Sequence, residues 1–132
     1  MSQVSKPYRV LVVDDEFIIA STLATILQRN GFDAVSFTEP LAVLKSAQEK
    51  SPDLLITDVM MPRLSGVDLG ILMRKRHPGC KVLLFSGQAA TADLLDSARK
   101  MGHEFEVLAK PIHPADFLRK IKSVTVEVET ST

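Results

Sequence analysis

The chain has 132 residues, 45% of them hydrophobic and 24% charged, with Lys+Arg and Asp+Glu both at 16. This is the composition of one ordinary globular domain with a single core, and it excludes a disordered chain. Balanced charge sets up no global field toward nucleic acid, no apolar run approaches membrane-spanning length, and the lone Cys80 excludes an internal disulfide or a cysteine-rich metal site.

Residues 1–7 form a lead too short and polar for a signal peptide, so a cytoplasmic protein with no membrane insertion is expected. Arg9 to Val13 is a continuous β-branched run, the pattern of a parallel strand buried on both faces, and it stops at Asp14-Asp15-Glu16. Ile19, Leu23, Ile26 and Leu27 then recur at helical spacing, with Asn30-Gly31 as the stop. Asp33 to Phe37 predicts a short strand of edge character, and Thr38 predicts the cap of a helix with Pro40 in its first turn, running to about Lys50.

Leu54 to Thr57 predicts a central strand with Asp58 at its carboxyl end, and Pro62 keeps the chain out of regular structure beyond it. Ser65 with Asp68 resembles a capping box for a helix to about Arg76, ended by Pro78-Gly79. Lys81 to Phe85 is a fourth strand, Ala89 to Lys100 a helix, and Phe105 to Ala109 a fifth short strand. Pro114 opens a last helix in which Phe117, Leu118 and Ile121 share a face. Ser123 to Thr132 is expected to be a disordered tail, against the alternative of a strand in which Val124, Val126 and Val128 alternate with polar residues. Five strands alternating with five helices over residues 8–122 predict an α/β parallel sheet covered on both faces, with right-handed crossovers.

Ligands bind such sheets at the carboxyl ends of the strands. There, strand one delivers Asp14 and Asp15, strand three Asp58, strand four Ser86 and strand five Lys110. In the order 2-1-3-4-5, strands one, three and four are neighbours about 4.8 Å apart. Carboxylates about 5 Å apart repel by about 3 kcal/mol per pair at an effective dielectric near 20, so either some hold protons or a hard divalent cation sits among them. Mg²⁺ uses one or two carboxylates and leaves positions for phosphate oxygens. A cation with a lysine and a hydroxyl opposite suits a phosphoryl group in transit, and Asp58, placed between them, can attack phosphorus. Singly, Asp14, Asp15 and Ser86 also read as helix caps and Lys110 as a solvated charge; their joint arrival at four strand ends favours the functional reading.

Val13-Asp14-Asp15, Asp58 with Pro62, Ser86-Gly87 and Lys110-Pro111 together resemble the signature of CheY-like receiver domains of two-component response regulators. The resemblance covers residues 8–122 and implies a flavodoxin-like three-layer α/β/α sandwich, with a five-stranded parallel sheet ordered 2-1-3-4-5. It implies that Asp58 accepts phosphoryl from the phosphohistidine of a sensor histidine kinase. It further implies Mg²⁺ on Asp15, Asp58 and the backbone carbonyl of Met60, with Asp14 helping through water. Lys110 and the Ser86 hydroxyl would bind phosphoryl oxygens, and Lys110-Pro111 would be a cis bond.

One departure bears on signalling. The family carries Tyr or Phe three residues before the lysine, where this chain has Val107; Phe105 lies five residues before it, which suggests an added residue or bulge in strand five. No output domain is expected after Lys122. A stand-alone receiver would signal by protein contact or phosphorelay through its helix 4–strand 5–helix 5 face, with a homodimer possible and no direct nucleic-acid contact. His77, His103 and His113 are scattered and read as structural or solvated. A rival enzyme reading, an aspartate-nucleophile phosphatase of the haloacid-dehalogenase type, would need its nucleophile on the first strand with a second Asp two residues on. A receiver-like scaffold that takes no phosphoryl would lack the acceptor, the lysine or the acidic pair, and none is missing.

Overall fold

A computed structural model describes residues 8–87 and 91–130, with side chains up to Thr125. The chain alternates β1 (Arg9–Val13), α1 (Phe17–Arg29), β2 (Asp33–Phe37), α2 (Pro40–Glu49), β3 (Leu54–Asp58), α3 (Gly66–Arg76), β4 (Lys81–Ser86), α4 (Thr91–Lys100), β5 (Glu106–Ala109) and α5 (Pro114–Thr130). All pairings are parallel and the strand order is β2-β1-β3-β4-β5, the expected three-layer α/β/α arrangement. Residues 1–7 and the expected start of α4 at Ala89 lie outside the described residues.

The two-residue period of the strands splits the core. Leu11, Val13, Leu55 and Leu84 point to one face, where Val43 and Ala47 of α2, Val67 and Met73 of α3, and Ala98 of α4 cover them. Val10, Val12, Leu54, Ile56, Leu83 and Phe85 point to the other, under Leu23, Ala24 and Leu27 of α1 and Phe117, Ile121 and Val124 of α5. Both faces of the central strands are therefore dry, which is why β1 and β3 read as unbroken apolar runs.

Three expectations need correction. The residue preceding α2 is Glu39 rather than Thr38; no side chain caps that helix, and Pro40 at its first position already lacks the N–H that a cap would satisfy. In β5 the ladder runs Leu83↔Glu106, Leu84↔Val107, Phe85↔Leu108 and Ser86↔Ala109 without interruption, so there is no bulge, and Phe105 lies just before the strand. Residues 123–130 form neither an unstructured tail nor a strand: α5 continues to Thr130, and residues 131–132 of the expected tail lie outside the described residues. Val124 falls on the face already set by Phe117 and Ile121 and is only 5% exposed, so helical spacing outweighs the local alternation of valines.

Candidate functional site: a carboxylate–lysine cleft at the sheet rim

The register brings the predicted residues together. Val13 pairs with Thr57, so Asp14 and Asp58 leave adjacent strands side by side at the switch point between β1 and β3. Asp58 pairs with Phe85 and Ser86 with Ala109, so Ser86 and Lys110 follow at the same rim. The Lys110-Pro111 peptide is cis.

Asp14 and Asp58 are buried while Asp15 is exposed, and each of the three offers a carboxylate oxygen within 4.8 Å of the others. Lys110 Nζ donates to Asp14 Oδ2 at 2.8 Å and to Asp58 Oδ1 at 3.1 Å, bridging the two strands. Asp58 Oδ1 also accepts from the Val59 N–H at 3.0 Å, and Asp14 Oδ1 from the Glu16 N–H at 2.9 Å. Burial first, then the Asp14 charge, push the Asp58 carboxyl above its ordinary range against the pull of Lys110. Burial works to lower the Lys110 ammonium, but its bonds to Asp14 and Asp58 outweigh it and leave the lysine raised.

Three carboxylates facing a single ammonium leave a local excess of negative charge, and all their donors are hard oxygens. That donor set suits a divalent cation such as Mg²⁺. Met60 lies two residues past Asp58 with its side chain exposed.

Ser86 Oγ lies 2.6 Å from Thr91 Oγ1, both residues being buried. Thr91, at the first position of α4, is a neighbour of Ser86 that sequence reasoning missed. Gly66 is another residue next to the cleft: it opens α3 against the loop after Asp58, its N–H donating to the Val59 carbonyl at 2.8 Å. A glycine directly after the Ser65 cap was the available signal. Ser65 does cap α3, accepting from the Asp68 N–H at 3.1 Å.

Other residues sit apart from the cleft. Phe105 is held by Arg74, whose guanidinium lies 4.0 Å above its ring, and Val107 is 40% exposed on β5. Each histidine has a local contact: His77 Nδ1 with Ser51 Oγ, His103 stacked on Phe105, and His113 Nδ1 accepting from the Ala115 N–H. Beside Lys110, Ile18, Ile19, Leu23, Phe85, Pro111 and Ile112 line an apolar groove of about 340 Å³.

This sheet, with its acidic switch point and bridging lysine, defines a flavodoxin-like α/β protein of the CheY-like kind. Residues 10–122 match the response regulator receiver domain, and the chain belongs to that family. The transcriptional regulatory protein CreB of Escherichia coli (strain K12) is 32% identical over 123 residues, covering 91% of this chain and 52% of CreB. The alkaline phosphatase synthesis transcriptional regulatory protein PhoP of Bacillus subtilis (strain 168) is 28% identical, covering 88% of this chain and 48% of PhoP. The chain thus spans about half the length of the curated relatives it matches. Among solved structures, a CheY-like receiver domain protein from Methanospirillum hungatei JF-1 superposes with a TM-score of 0.85 at 25% identity, covering 96% of this chain and all of that one. A receiver domain protein from Clostridium thermocellum gives 0.80 at 28% identity, covering 94% and 98%. Receiver domains act in two-component signalling, are phosphorylated on aspartate and work with histidine kinases. Among the described residues, no helix is long and apolar enough to cross a membrane.

Proposed function

We propose that Asp58 is the phosphoacceptor, taking a phosphoryl group from the phosphohistidine of a sensor histidine kinase. The observation that carries this reading is the Lys110 ammonium bridging Asp14 and Asp58 in a cleft where the Asp15 carboxylate also converges. In the transfer an Asp58 carboxylate oxygen forms the O–P bond as the N–P bond of the donor breaks, and the imidazole departs. Asp58 must be ionised to attack; burial and Asp14 resist that, and Lys110 offsets them. Lys110 and the Ser86 hydroxyl then hold phosphoryl oxygens, a positioning and charge-neutralising role.

Asp15, Asp58 and the Met60 backbone carbonyl are the proposed Mg²⁺ ligands, with Asp14 acting through water. When bound, the cation supplies positive charge to the clustered carboxylates and to the incoming phosphoryl oxygens. The apolar groove beside Lys110 gives a protein donor a surface to approach. We place the output on the α4–β5–α5 face, where Met101 and Val107 are exposed, through a protein target or a second copy and without direct nucleic-acid contact. A cytoplasmic site of action fits that chemistry.

Incubated with phosphoramidate and Mg²⁺, the protein should gain one phosphate in intact-mass measurement, and Asp58→Asn or chelation of the metal should abolish the gain. A label that survives in Asp58→Asn would move the acceptor to another residue.

A further inference from the structure

The hydroxyls of Ser86 and Thr91, 2.6 Å apart, join the end of β4 to the start of α4. At that distance they form a full hydrogen bond, and it is well shielded, since Ser86 is 7% and Thr91 4% exposed. Ser86 stands beside Lys110 at the sheet rim, where the Lys110 backbone N–H donates to the Ser86 carbonyl at 2.9 Å. On the phosphoacceptor reading, in which the Ser86 hydroxyl holds a phosphoryl oxygen, one side chain links the cleft to the first residue of α4. Three residues before Lys110 stands Val107, with neither ring nor polar atom to relay a change from the cleft. Phe105 cannot substitute, because Arg74 holds its ring outside β5.

We propose that Thr91 is a positioning residue that fixes the Ser86 hydroxyl in the resting protein and carries the state of the phosphoryl site to α4. The proposal rests on the phosphoacceptor reading above. Turning the Ser86 side chain to bring its Oγ to a phosphoryl oxygen on Asp58 carries that oxygen away from Thr91, whichever of the two hydroxyls donates in the resting bond. Thr91 then stands at the opening of α4 with a buried hydroxyl that has lost this partner, and a buried polar group in that position drives local rearrangement until it is satisfied again. The bond made before phosphorylation and given up after it opposes phosphoryl binding, and removing it strengthens that binding.

The test uses the full chain with Mg²⁺ and beryllium trifluoride, a phosphoryl mimic, with affinity read by titration and α4 read through the backbone amides of Asp93 to Leu95. Thr91→Val, which keeps the shape and removes the hydroxyl, should bind the mimic about fivefold more tightly, the factor that one neutral hydrogen bond contributes. It should also lose most of the α4 amide shifts that the wild type shows. Thr91→Ser should restore both, and in a Ser86→Ala background Thr91→Val should change neither. Thr91→Ala gives the same readout should the valine variant fold poorly. An unchanged or weaker affinity, or an equal gain without the Ser86 hydroxyl, overturns the coupling. If the wild type itself fails to bind the mimic, or Asp58→Asn binds it equally well, the phosphoacceptor reading falls first; normal wild-type binding with an unaltered Thr91→Val overturns the role of Thr91 alone.

Discussion

A Cβ added to Gly66 would stand 1.9 Å from the Asp58 carbonyl oxygen and 3.0 Å from Thr57 Oγ1. The atoms it meets are mostly backbone, held by the β3 ladder and by the Gly66 N–H bond to Val59, so they cannot swing aside. Alanine there should destabilise the protein by about 2–3 kcal/mol, since overpacking outweighs the gain of about 1 kcal/mol in helix propensity. Because the strain falls on the peptide group of Asp58, the proposed acceptor, phosphorylation by phosphoramidate should slow as well. Urea unfolding and mass measurement on Gly66→Ala check both; a variant as stable and reactive as the wild type would show that the loop adapts. The placement of Asp14, Asp15, Asp58, Ser86 and Lys110 at one rim was legible because each stands at the end of an apolar run and so emerges where its strand stops. Gly66 and Thr91 were not, because their parts depend on distances between elements that adjacency in sequence does not encode.

The elements repeat that contrast. Strands β1, β3 and β4 and the helices packed on them were readable from apolar period and turn residues, and the misreadings fall where local signals were weak. In α5 the valines at 124, 126 and 128 mimic a strand, yet the face that matters is Phe117, Ile121 and Val124, spaced for a helix over the sheet face that α1 also covers. Lys81 Nζ adds a tie, donating to the Val124 carbonyl at 3.3 Å from the start of β4. Val124→Ala should cost about 1.5–2 kcal/mol of unfolding free energy for the apolar atoms removed. Ser123→Ala, at an exposed position of the same helix, should shift it by less than about 0.5 kcal/mol. Equal effects in chemical denaturation would mean that α5 contributes nothing beyond Lys122. β5 was misjudged for a related reason: an aromatic at 105 invites a strand reading, but that ring serves α3 through Arg74 and Gly70, whose added Cβ would meet it at 3.0 Å.

Across the whole molecule, the clustering of charge that builds the cleft works against the fold that holds it. The folded Asp58 carboxyl is raised, by burial first and then by Asp14, so the native state keeps that proton more readily than the unfolded chain does. Its contribution is therefore most favourable below the ordinary carboxylate pKa and is lost as pH rises through the raised value, leaving a cost at neutral pH. Lys110 has the opposite consequence: its raised pKa stabilises the protein at all pH values below the ordinary lysine range, and the contribution disappears only above it. Without metal, Asp58→Asn should thus be more stable than the wild type at pH 7, with the difference shrinking as pH falls toward 4. On the proposed cation site Mg²⁺ should reverse the comparison, because a ligand that binds only the folded state stabilises it by mass action, about 1.4 kcal/mol at ten times its Kd. Urea titrations of both proteins, from pH 4 to 8 with and without the ion, should show the wild type gaining with Mg²⁺ and the variant gaining little. A wild type indifferent to Mg²⁺, or a variant destabilised in its absence, would mean that these carboxylates are reconciled by contacts other than a shared cation, and the cleft would have to be read as a structural ion-pair network centred on Lys110.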